Sequence, residues 1–179
     1  PSALFMMAHP GGEVPGAVVV PTMEGTRPLL VEIQALVCST SLGVPRRMTT
    51  GVDHNRAALI MAVLEKRVGM HMGNNDAYVN VVGGVRIDEP AVDLGVAVSL
   101  ASSFKDCPVE SGLVVMGEIG LTGEIRSITG IGRRVSEAKQ LGFTQCLVPS
   151  PDASLARIKG IKVEGVRTVA DAIERALKV

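Results

Sequence analysis

At 179 residues, 46% of them hydrophobic and 20% charged, the chain is long enough for one sizeable core and reads as a single soluble globular domain. Eighteen basic residues balance eighteen acidic ones, so no overall field draws the chain to nucleic acid or to an acidic membrane, and any such attraction needs a patch made by folding. Three cysteines, Cys38, Cys107 and Cys146, without a CxxC pair argue against a disulfide framework or a zinc site and read as buried thiols. The longest apolar run, about 91–101, is too short for a bilayer and is interrupted by Asp93; no cleavable signal is visible, so a cytoplasmic protein is expected. No GxxxxGK[ST] loop offers an ATP site.

Residues 1–14 (PSALFMMAHPGGEV) read as a connector from a preceding domain, and the start at Pro1 suggests a fragment of something longer. From residue 17, AVVVPTMEGTRPLLVEIQALV predicts an antiparallel hairpin around Glu24-Gly25-Thr26, with Pro21 pointing to an edge strand. A polar loop holding Pro45-Arg46-Arg47 leads to a helix in VDHNRAALIMAVLEKRVGM (52–70). Its N-cap is Asp53, its core face Ala57, Ile60, Met61 and Leu64, and its stop Gly69.

The strand AYVNVVGG (77–84) then runs into GGVRIDEPAVDLGVAVSL (83–100). Pro90 there fits the first turn of a helix that is apolar nearly all round and therefore central, yet carries a carboxylate, Asp93, near its start. LVVMGEIGLTGEIRSI (113–128) reads as two strands joined at 120–123. A helix over 131–141 closed by Gly142, a strand in TQCLVP (144–149), a short strand near 161–163, and a last helix capped by Thr168 or Asp171 complete an α/β (α+β) domain without repeats.

The motifs MEGTRPLLVEIQALV, PRR, GVDHNR, AVLEKRVGMHM, DAYVNVVGGVRIDEPAVDLGVAVSLASSF, GEIGLTGEIR, RRVSEAKQLGF and LVP, in this order, resemble the C-terminal Lon-protease-like domain of the bacterial RadA (Sms) family of DNA repair proteins. That resemblance covers almost the whole chain. It implies a Lon proteolytic-domain-like, ribosomal protein S5 domain 2-like fold over 15–179. It also implies a longer parent with a zinc module and a RecA-like ATPase, so ATP, Mg and Zn belong to a part absent here. The implied role is DNA binding and hexameric ring assembly for branch migration with the recombination machinery. A pure assembly scaffold without DNA contact is the competing reading, a Lon-type serine protease is the remoter one, and no membrane partner is implied.

Active Lon proteases use a serine at a helix start and a lysine whose lowered pKa lets it act as base. In this sequence the serine position falls on Asp93, or on Ala91 in an alternative alignment, and the lysine position on Arg134, which stays protonated. Asp93 and Arg134 are therefore degenerate dyad positions, and a structural ion pair between them is one expectation. The alternative is that Asp93 favours the positive end of its helix while Arg134 reaches water. Ser99, Ser102 and Ser103 with Lys105 read as packing residues rather than a substitute dyad, and His9, His54 and His71 have no metal-ligand spacing. With the resemblance, Arg27, Arg56, Arg86 and Arg126, all at turns or element ends, are the candidate DNA contacts, and Arg46 and Arg47 form a second candidate site.

Overall fold

A computed structural model describes residues 14–41 and 43–178; the expected connector lies outside them apart from Val14, as does His9. The β-branched runs of the hairpin form β1 (Ala17–Glu24) and β2 (Arg27–Ser39), closed at Gly25, whose φ of 64° suits glycine. β3 (Arg47–Thr50), α1 (His54–Val63), β4 (Asn75–Val81) and α2 (Asp93–Lys105) follow. Then come β5 (Leu113–Val115), β6 (Glu118–Ile119), β7 (Ile125–Arg126), α3 (Ile131–Gln140), β8 (Gln145–Pro149), α4 (Ala153–Ala156), β9 (Lys162–Val166) and α5 (Val169–Ala176). The architecture is mixed α/β: a seven-stranded sheet ordered β3-β4-β2-β1-β5-β8-β9 and a separate β6-β7 hairpin.

Successive side chains of β1 are buried on both faces. Val18 and Val20 meet α1, α2 and α5 in one core; Val19 joins Leu30, Val114, Cys146 and the apolar side of α3 in another. α2 is buried from Asp93 to Ser102, as its all-round apolarity predicts. It lies close on β1 because residue 95 is glycine: a Cβ there would be 2.2 Å from Val20 Cγ1. α3 and α4 cover the β1-β5-β8-β9 half of the second face and the part of β2 around Leu30. On the other half Leu36 and Met48, both in register with Tyr78, remain 57% and 59% exposed.

Four readings are corrected. β1 lies at the sheet centre, not its edge, yet Pro21 is tolerated because β5 pairs with β1 only near Val19 and has ended before Pro21. Arg46-Arg47 does not sit in a plain loop: residue 47 opens β3, whose alternating exposure gave little apolar signal. The apolar run from 113 breaks at Gly117, so three short strands replace two. Cys38 is exposed and Cys107 partly so; only Cys146 is buried, and burial pushes its thiol up to about 12. Among the described residues no helix is long and apolar enough to cross a membrane.

Candidate functional site

Every strand of the large sheet except β2 points the same way, because β3 and β4 are parallel, β2 is antiparallel to both β4 and β1, and β1, β5, β8 and β9 are parallel in turn. The turns at the carboxyl ends of these strands therefore gather at one end of the molecule, where open α/β sheets commonly place their ligands. Arg27 opens β2 directly after the β1-β2 turn, Arg56 lies in the first turn of α1, Arg86 after β4, Arg126 on β7 and Arg134 in the first turn of α3. The topology thus brings all four principal candidate cations to this end, together with both degenerate dyad positions.

Asp93 opens α2 with its side chain 1% exposed. Its partner is Arg56, not Arg134. Arg56 Nε donates to both carboxylate oxygens at 3.0 and 3.1 Å, Nη2 donates to Oδ2 and to the Ile119 carbonyl, and the Ile119 N–H donates to Oδ2 at 3.0 Å. Arg56 is poised for this because Asp53, the N-cap, accepts the Arg56 backbone N–H at 2.9 Å and fixes the first turn of α1. Burial holds the Asp93 carboxyl above the usual carboxylate range, against the opposing hydrogen bonds from Arg56 and the Ile119 N–H. In return the Asp93 hydrogen bond raises Arg56.

Arg134 is turned inward, 1% exposed, and pairs with Glu89 through both terminal nitrogens. Nη1 also donates to the Pro21 carbonyl at 3.1 Å and Nε to the Thr129 carbonyl at 2.9 Å, while Glu89 Oε1 accepts the Met23 N–H at 3.3 Å. Residues 21 and 23 present these groups on the side of β1 that β5 has already left. The Glu89–Arg134 pair thus takes over hydrogen bonds that a neighbouring strand would otherwise make. The expected Asp93–Arg134 pair is replaced by two separate pairs, Arg56–Asp93 and Arg134–Glu89. Sequence reasoning passed over Glu89; the available signal was an acidic residue immediately before the proline that starts the α2 region.

Arg56 also lies between two hollows. One, of about 260 Å³, includes Asp53, Ile87, Asp88, Glu89 and Asp93 in its lining; the other, of about 220 Å³, includes Leu59, Glu118, Ile119, Leu121 and Arg126. Arg86 pairs with Asp88 at 3.1 Å, and Arg126 with Glu124 at 3.0 Å and Glu118 at 3.8 Å. Arg27 is exposed without an ion pair among the described residues. At the far edge Arg47 donates to the Asn75 and Met72 carbonyls, and the Arg46 N–H donates to Asp76 at 2.8 Å. The Arg46 N–H, with the Thr40 hydroxyl and the charges of Arg46 and Arg47 behind it, lowers the Asp76 pKa against the effect of burial, and β3 pairs with β4.

Ser99 and Ser102 are buried with backbone partners: Ser99 donates to the Val96 carbonyl, and Ser102 donates to the Cys107 carbonyl while accepting the Gly16 N–H. Ser103 accepts the Val37 N–H. His54 is exposed, and His71, 80% exposed, lies 3.8 Å from Glu65. Among the described residues no group of three or more His, Cys, Asp or Glu side chains could hold a metal ion.

Fold and site together define an α/β domain whose buried charges at the carboxyl end of the sheet are spent on one another. Residues 43–152 match the family model described as subunit ChlI of Mg-chelatase, and the chain belongs to that family. It is 57% identical over 99% of its length to a protein of Halalkalibacterium halodurans named DNA repair protein RadA. The proteins of that name from Bacillus subtilis and Streptococcus pneumoniae are 50% identical over 99% of the chain and 49% identical over 98%. The chain spans 39% of the length of the first two curated relatives and 42% of the third.

Proposed function

We propose that this chain is the Lon-protease-like, non-proteolytic domain of a RadA-type DNA repair ATPase, contributing DNA contacts and ring assembly for branch migration. The observation that carries this reading is the 49–57% identity to proteins named DNA repair protein RadA across nearly the entire chain. The geometry supports the non-proteolytic part. At the nucleophile position stands a carboxylate enclosed by Arg56 and the Ile119 N–H, and at the base position a guanidinium that cannot give up its proton. ATP, Mg and Zn chemistry belongs to the remainder of the parent, which works in the cytoplasm.

Arg27, Arg86 and Arg126 supply the phosphate contacts at the carboxyl end; Arg56, 34% exposed, has only part of its guanidinium left to offer. The exposed apolar row of Leu36 and Met48 favours the assembly role beside DNA contact. The test is a titration of the chain against a labelled DNA duplex by anisotropy at two salt concentrations, with sedimentation in the same buffers. Binding that weakens steeply with salt is expected. An assembled ring that leaves DNA unbound would favour the pure scaffold, and Leu36→Glu with Met48→Glu is expected to give smaller particles.

A further inference from the structure

At the opposite end of the sheet, α4 stops at Ala156 and the chain runs Arg157-Ile158-Lys159-Gly160-Ile161-Lys162 into β9. Gly160 makes the reversal with φ +98° and also lets a fourth cation approach: a Cβ at 160 would lie 2.8 Å from Lys139 Cε and 3.2 Å from its Nζ. Lys139 sits in the last turn of α3. Arg157, Lys159 and Lys162 line a shallow hollow of about 450 Å³ with Ile158, Ile161 and Val163, and no carboxylate lines it.

The nearby acids are turned to other work. Asp152 is buried and accepts the Ile128 N–H at 3.0 Å, Glu164 pairs with Arg175, and Glu137 lies two residues from Lys139, on the other side of α3. Among the described residues none of Lys139, Arg157, Lys159 and Lys162 makes an ion pair. β9 is bonded on one side only, to β8. Its Lys162 N–H donates inward to the Thr144 carbonyl, so alternation along the strand aims the Val163 N–H at the open edge beside the hollow.

We infer that this rim is a second phosphate-binding face, which holds the backbone of a nucleic acid through Lys139, Arg157, Lys159 and Lys162. The inference rests on the DNA reading above and adds a site that its arginines do not include. Cations on several short elements, with one outward N–H and no carboxylate among them, match a repeating anion better than a single carboxylate ligand. Three of the four are lysines, which act as point charges toward phosphate and read no base. The rival account is that charged residues merely guard the open β9 edge against pairing with another strand.

The experiment uses the full chain, a mixed-sequence duplex and a salt series. A fourfold variant, Lys139→Ala, Arg157→Ala, Lys159→Ala and Lys162→Ala, is set beside a carboxyl-end variant, Arg27→Ala, Arg86→Ala and Arg126→Ala. A milder pair, Lys159→Gln with Lys162→Gln, keeps the edge polar. The fourfold variant is expected to lose at least about tenfold in affinity and to show a log–log salt slope shallower by about 3, at roughly 0.9 per phosphate contact. The Gln pair should lose about half of that slope change while sedimenting as the original chain does.

Wild-type affinity and slope in a folded Gln pair would overturn the inference. So would self-association of the Ala variant with unchanged DNA binding by the Gln pair, since that is edge protection. Loss confined to the carboxyl-end variant removes this face and leaves the DNA reading standing. Failure of the unaltered chain to bind DNA removes both.

Discussion

The two ends of the sheet use their cations in opposite ways. At the carboxyl end Arg56, Arg86, Arg126 and Arg134 each have a carboxylate partner and only Arg27 of the five has none among the described residues; at the β9 rim Lys139, Arg157, Lys159 and Lys162 all lack one among the same residues. An arginine at an element end is therefore not by itself a free phosphate ligand. Where helices start against buried backbone, as at Asp93 and Arg134, charge is absorbed into the fold; where a short helix and an edge strand meet solvent, it stays available. A chain of zero net charge can thus present a positive face at one end by pairing its charges at the other.

The comparison breaks first if the carboxyl-end pairs contribute little to stability. Arg134→Met removes hydrogen bonds to Glu89, Pro21 and Thr129 from a side chain that is 1% exposed. It leaves the Glu89 carboxylate without its cation and the Pro21 and Thr129 carbonyls without their donor, at a cost of about 3 kcal/mol. Asp93→Ala is expected to cost less, about 2 kcal/mol, because Arg56 is partly exposed and regains water while the Ile119 N–H does not. Urea unfolding checks both, and effects below about 0.5 kcal/mol at both sites would erase the contrast.

The pH dependence sharpens the same point. Asp93 has its folded pKa raised by burial, so the folded form holds the proton more tightly than the unfolded one. Its contribution to stability is fully present below the unfolded value, about 4, and is lost as pH rises through the folded one. Asp93→Asn removes that dependence. The stability of the Asn variant relative to the original chain should therefore improve as pH rises above about 4 and level off once the folded carboxyl has ionised. A relative stability that falls over this range would mean that Arg56 outweighs burial.

Much of this organisation is legible in the sequence. The Asp53 cap, the Gly69 and Gly142 stops and the wholly buried 93–102 helix follow from local chemistry, because capping and periodicity act within one or two turns. The inward turn of Arg134 is also readable from its place on the edge of the apolar stripe of α3. Its partner is not, since Glu89, in the segment before α2, meets the first turn of α3 only through the fold, 45 residues away in sequence. β3 escaped because an edge strand with every second residue exposed resembles a loop. The β9 rim escaped because its cations come from two separate segments, 139 and 157–162, whose proximity depends on a glycine turn.

The smallest expected change separates structural from available charge. Lys159→Ala and Lys162→Ala remove side chains that are exposed and without an ion pair among the described residues, so the change in unfolding free energy should stay within about 0.5 kcal/mol. Arg134→Met at the other end carries the larger penalty for removing the same unit of charge. Thermal or urea unfolding of the four single variants, Lys139→Ala, Arg157→Ala, Lys159→Ala and Lys162→Ala, tests this without any ligand. If one of them destabilises the fold by more than about 1 kcal/mol, that residue holds the 157–162 turn in place. Lys139 is the one to watch, since its stem lies across Gly160 and covers the turn with methylenes as well as charge. A Lys139→Met variant then isolates the two contributions: packing by the stem would leave stability unchanged, whereas a need for the ammonium would lower it.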